Sequence, residues 1–139
     1  MRKCKRAFLI CIACLGLYVF LIRPILLTKT YLTGSYAEVD HMVIQYYQHG
    51  WGHVILEKGD STEYIYSVLK SGKKRLIRTH DGIVFDPRFD LVIIYTDGHQ
   101  DTLVANYSLY KQVPKSTWLI RCETKDLVAE MLESKDSFS

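Results

Sequence analysis

The groups that could carry chemistry in this chain are five histidines, four cysteines and fifteen acidic residues. His49 and His53 stand four apart, the spacing that lets two imidazoles share a zinc ion from one helix face, as in H-E-x-x-H. Gly50 and Gly52 lie between them and oppose a helix, and no Glu follows His49. A third ligand would have to come from His41, His80 or His99, and the pair reads more simply as part of a turn. Asp86 and Asp90, then Asp97 and Asp101, are expected to gather at one end of a sheet. Their spacing lacks the D-x-[DN]-x-[DN]-G-x₅-E pattern of a calcium loop, so they read as turn formers. Cys122 could act as a thiol nucleophile beside a histidine. It falls in phase with Trp118 and Ile120, which makes it a packing residue. From residue 38 onward there is no G-x-S-x-G, glycine-rich phosphate loop or C-x-x-C. The expectation is therefore no catalytic residue, no metal site, no cofactor and no enzyme.

Binding chemistry has better material. Lys73, Lys74, Arg75 and Arg78, with Lys70, form a basic cluster. Such a cluster can meet anionic lipid headgroups or anionic wall polymer, gaining about 1 kcal/mol per basic residue near a charged membrane. A solvated helix end followed by an edge strand is the plainer account of the same residues. Tyr46, Tyr47, Trp51, Tyr66, Tyr107 and Tyr110 are many aromatics for one small domain. Some must fill the core, and any on an open sheet face would form a protein-binding patch. Lys73, Lys74, Arg75, Arg78, Tyr107 and Tyr110 are the candidate interaction residues.

These groups need elements to hold them. Residues 7–22 read AFLICIACLGLYVFLI, sixteen positions without a charge. They would rise about 24 Å as a helix, while a full span needs about 20 residues for a hydrocarbon core of about 30 Å. Ile25, Leu26 and Leu27 continue the run past Arg23 and Pro24, so 7–27 reaches spanning length, with the Arg23 stem carrying its charge toward the headgroups. A retained anchor is the expectation. A cleaved signal peptide is the main alternative, although its small-x-small site, Ser35-Tyr36-Ala37, stands well past the apolar run. A lipoprotein signal ending at Cys14 would place LGLYVF where a polar tether belongs. A buried helix of a soluble protein would need cover on every side.

Charge divides the chain unevenly. Residues 1–34 hold six basic and no acidic residues, whereas 35–139 hold twelve basic and fifteen acidic. The part able to fold is slightly acidic, which excludes nucleic acid as an expected partner. Arg2, Lys3, Lys5 and Arg6 precede the apolar run, against Arg23 and Lys29 after it. That asymmetry favours an N-terminus inside and a C-terminal domain outside the cytoplasm. The organisation is then a basic flank (1–6), an anchor (7–27), a polar linker (28–37), a domain (38–134) and a tail (135–139). The bilayer is the expected partner of 7–27. Only Cys122 lies in the domain, so no disulfide forms within it.

Within the domain, 42–47 and 53–57 are β-rich and joined by glycines, a hairpin. Asp60 as N-cap with Glu63 at N3 opens a helix whose stripe is Tyr64, Ile65, Val68 and Leu69, closed by Gly72 in the left-handed region. Residues 74–79 form an edge strand and 89–96 a central one, apolar on both faces. Alternation over 102–110 predicts one strand with Leu103, Ala105, Tyr107 and Leu109 on one face. A last strand covers 117–122, and Thr124 caps a final helix with Leu127, Val128, Met131 and Leu132 as its buried stripe. The expected fold is α+β: an antiparallel sheet covered on one side by two helices. Asp90, Thr96, Asn106, Ser108 and Arg121 would line the other face.

PRFDLVIIYTDG (87–98), the alternating strand after it, Trp118 in the next strand and a short capped helix together resemble small extracytoplasmic domains. These belong to uncharacterised membrane-anchored proteins and lipoproteins of Gram-positive bacteria. The resemblance covers about residues 60–133, implies a fold and a compartment, and assigns no functional residue. The chain departs from the lipoprotein members in lacking a usable lipobox. The expected function is a single-pass, membrane-tethered binding module for a protein or anionic envelope partner. The alternatives are a membrane-anchored immunity or inhibitor protein, and a small thiol- or metal-dependent hydrolase.

Overall fold

The computed structural model describes residues 2–47, 52–79, 83–124 and 126–138, with side chains through Glu133. The chain begins with one long helix in three parts: α1 (Arg2–Leu17), a π-turn (Tyr18–Ile22) and α2 (Arg23–Tyr31). Pro24 explains the π-turn. Its ring would clash with the Phe20 carbonyl and it has no N–H to offer. The helix widens instead, and the Arg23 N–H bonds the Tyr18 carbonyl. This is the one helix among the described residues long and apolar enough to cross a membrane, and its apolar stretch lies bare.

The domain is α+β. Seven antiparallel strands, β1 (Val39–Tyr46), β2 (Gly52–Glu57), β3 (Lys74–Arg78), β4 (Phe89–Tyr95), β5 (Gln100–Ala105), β6 (Leu109–Gln112) and β7 (Trp118–Cys122), form an open sheet in the order β2-β1-β4-β5-β6-β7-β3. Helices α3 (Asp60–Ser71) and α4 (Leu127–Phe138) complete it. The β1–β2 hairpin, the edge position of β3 and the interior position of β4 follow the sequence pattern. Phe89, Leu91, Ile93 and Tyr95 alternate into the core, where Met42, Leu103, Leu109 and Ile120 meet them. Of the expected α4 stripe, Leu127, Val128 and Met131 are buried and Leu132 is half-buried against the core.

Several expectations need correction. The segment 102–110 is two strands, because the Asn106 side chain accepts from the Ser108 N–H and the Asn106 N–H bonds the Ser108 carbonyl, closing a turn. Tyr107 therefore leaves the Leu103–Ala105–Leu109 face and stands 78 % exposed. In α3 the buried stripe is Thr62, Ile65, Tyr66 and Leu69, and Tyr64 points outward to Glu130, with its hydroxyl 3.1 Å from Oε2. The N-cap is Gly59, one residue earlier than expected, and Thr62 Oγ1 accepts its N–H at 2.9 Å. Gly72 is extended (φ −62°, ψ 143°). It is required for space, since a Cβ there would sit 2.6 Å from Cys122 Sγ. At the start of α4 the Thr124 carbonyl, not its hydroxyl, takes the Leu127 N–H, and the helix continues through the expected tail to Phe138.

The largest difference lies at 28–37, the segment read as a linker. Tyr31 is fully buried and Leu32 nearly so, both within the domain core. The helix thus ends inside the fold it was expected to hang from.

Candidate interaction site

At that junction a buried polar cluster joins helix to sheet. Asp101 and Lys111 occupy core-facing positions of β5 and β6, with Nζ 2.6 Å from Oδ1. Lys111 also donates to the Thr30 carbonyl at 2.6 Å. Asp101 further accepts the Tyr95 hydroxyl at 2.6 Å, and the Thr33 N–H and hydroxyl at 2.8 Å each. Burial pushes the Asp101 carboxyl up, but Lys111, Tyr95 and the two Thr33 donors outweigh it and hold it below its ordinary value. The same burial, reinforced by Asp101, pushes the Tyr95 phenol well up. Tyr31 donates to the Leu109 carbonyl at 3.2 Å and Tyr66 to the Gly34 carbonyl at 2.6 Å. Gly34 itself leaves room for the Tyr95 ring, which a Cβ would approach to 2.4 Å.

Sequence pattern held a signal for this cluster. Asp101 is in phase with Leu103 and Ala105, and Lys111 with Leu109, so an acid and a base both share the core period of neighbouring strands. Read by spacing alone, Asp101 instead joins the acidic turn residues. That grouping fails on geometry: Asp90 is the second residue of β4 and Asp97 follows its end, so the two acidic sets stand at opposite ends of the strand, and Asp101 faces inward.

The basic candidates divide. Lys73, Lys74 and Arg75 line one groove of about 470 Å³ between the helix and β3, with Val19, Phe20, Arg23, Pro24, Leu27 and Leu76. Lys74 donates to the Lys70 carbonyl at 2.7 Å, and its ammonium stands 5.8 Å from the centre of the Tyr31 ring. Its half-buried setting lowers its pKa. Arg75 Nε lies 3.4 Å from Glu123 Oε1. Arg78 is at the far end of β3, over Trp118 at 5.9 Å. Tyr107 sits on the β5–β6 turn with the Arg88 guanidinium 4.7 Å over its ring, and Tyr110 is half-buried opposite Arg121 on the outer sheet face. The structure therefore brings Lys73, Lys74 and Arg75 together and adds Arg23, but it places Arg78, Tyr107 and Tyr110 elsewhere.

The outer face is less polar than expected. Asp90 and Arg121 are on it, but its middle rows hold Val43, Val92, Ile94 and Val104, and Ile55 is 54 % exposed. Cys122 is buried, with Sγ 3.6 Å from the Leu69 carbonyl. Burial raises its thiol pKa, the opposite of nucleophile activation. His41 pairs with Asp40 at 2.6 Å and His99 with Asp97. Among the described residues no three His, Cys, Asp or Glu side chains converge on a common point. His49 and His80, with the turn at 48–51, lie outside the described residues.

No protein-family model matches the chain, and neither a curated protein nor a solved structure does.

Proposed function

We propose that the chain is a single-pass membrane protein whose domain works by binding and not by catalysis. The observation that carries this reading is the junction: the apolar helix ends in the domain core through Tyr31, and Thr30 and Thr33 complete the Asp101–Lys111 cluster. A leader cut after Ala37 would remove those groups, leaving the Asp101–Lys111 pair without the Thr30 carbonyl and the two Thr33 donors, at about 1 kcal/mol for each lost hydrogen bond. Retention of the helix is the economical outcome. A retained helix with an apolar surface needs a bilayer to cover it.

The groove also supports a boundary for the anchor. Lys73, Lys74 and Arg75 lie alongside Val19 to Leu27, and such charges belong at the headgroups. The hydrocarbon segment is then Ala7–Ile22, about 24 Å long. A bilayer meets so short a span by thinning and by snorkelling of Arg6 and Arg23 at its ends. The four basic residues before the span against two after it favour an extracytoplasmic domain. Binding is favoured over chemistry because the reactive groups are otherwise engaged: Cys122 in packing and Asp101 with four donor groups. The half-apolar outer sheet face is where a protein partner would dock.

The test is topology in intact cells. The full chain should resist extraction by alkaline carbonate, and external protease should remove a tag placed after Ser139. Release by carbonate, or a tag protected until the cells are lysed, would refute the anchor or the orientation respectively.

A further inference from the structure

Resting on the anchor reading, we infer that the groove between the helix and β3 holds the phosphate headgroup of an anionic phospholipid. Two chemistries meet there. On the strand side stand Lys73, Lys74 and Arg75, and Arg23 closes the groove from the helix. Among the described residues no acidic side chain lines it, and of its cations Arg75 is the one with a carboxylate partner, Glu123, at 3.4 Å. The Lys74 ammonium donates to the Lys70 carbonyl, and its side chain lines the groove. On the helix side, Val19 and Phe20 form an apolar rail that runs on into the uncharged stretch Ala7–Ile22. Cations at one end and a continuous apolar surface at the other match a headgroup joined to an acyl chain. A free anion would use only the first half of that surface.

The position supports the same occupant. The cations sit at the level where the hydrocarbon segment ends, within reach of phosphates of the leaflet the domain faces. Arg78, at the opposite end of β3, is outside the groove.

The experiment uses the full chain in bilayers of phosphatidylcholine with or without phosphatidylglycerol. Retained lipid is read by native mass spectrometry after gentle release. The expected result is selective retention of phosphatidylglycerol. Arg23→Gln and Lys73→Gln, both at exposed positions, should each weaken it roughly fivefold. Arg88→Gln, four strands across the sheet, should leave it unchanged. Inorganic phosphate should not displace the lipid. Equal retention of both lipids, displacement by phosphate alone, or an equal effect of Arg88→Gln would overturn the inference. A chain that carbonate washes from the bilayer overturns the anchor and the lipid occupant together. One that stays embedded without lipid preference overturns the groove alone.

Discussion

Replacing Lys111 with Met removes one half of the buried pair while keeping most of the side-chain volume. Asp101 would keep the Tyr95 hydroxyl and both Thr33 donors but lose the Lys111 ammonium. Removing one partner of a buried pair costs about 3–5 kcal/mol, and the three surviving donors place this case near the lower end. The Thr30 carbonyl loses its donor too, adding about 1 kcal/mol. The sum, about 4 kcal/mol, is a large share of the roughly 5–15 kcal/mol that holds a domain folded. The assay is urea unfolding of the full chain in non-ionic micelles, followed by tryptophan fluorescence. With a slope of about 1–3 kcal/mol per molar, the midpoint should fall by more than about 1 M. Lys115→Met, at an exposed turn, is the reference and should move stability by less than about 0.5 kcal/mol. Adding Asp101→Asn to Lys111→Met should recover part of the loss, because it removes the stranded charge. If Lys111→Met behaves like Lys115→Met, the cluster does not hold the junction together.

Other consequences can be checked in the same micelles. A chain starting at residue 38 lacks Tyr31, Leu32 and Thr33, and should lose at least the 3–5 kcal/mol typical of deleting one buried aromatic; one starting at Arg23 should unfold like the full chain. Asp101 is held below its ordinary value, so its contribution is complete above the unfolded carboxyl pKa of about 4 and is lost as pH falls through the folded one. Tyr95 and Tyr31 are pushed up, so theirs is complete below about 10 and fades as pH rises beyond. The buried Cys122 thiol, also pushed up, begins to lose its contribution above about 8.5, so urea midpoints should be flat between about pH 5 and pH 8 and fall on both sides. Gly34→Ala forces the Tyr95 ring to move and should cost about 1–3 kcal/mol by urea titration, whereas Gly16→Ala, with open space around it, should not destabilise.

The regular parts of this fold were legible because burial imposes a period. FDLVIIY alternates around a continuous apolar run, so β4 could be placed inside the sheet from its residues alone. The stripe of α4 and the edge character of β3 followed the same way. What escaped depended on contacts far apart in sequence. Thr33 is 68 residues from Asp101, and Tyr31 is 78 from Leu109. No local pattern says that a tyrosine at the end of an anchor turns into a core. The β5–β6 break escaped because Asn106 and Ser108 fit the polar face of a longer strand as well as a turn. For the candidate site, charge identified Lys73, Lys74 and Arg75, but only the path of the helix brought Arg23 and Phe20 to them. Arg78, Tyr107 and Tyr110 share composition with that site but not its location.

The cysteines offer the most direct measurement of the account. Cys4, Cys11 and Cys14 are exposed along the helix, whereas Cys122 is buried in the domain. With the full chain in lipid nanodiscs, a membrane-impermeant maleimide should label Cys4 and leave Cys11 and Cys14 unmodified until detergent and denaturant are added. Rapid labelling of Cys11 and Cys14 in the intact bilayer would contradict the claim that Ala7–Ile22 lies in hydrocarbon.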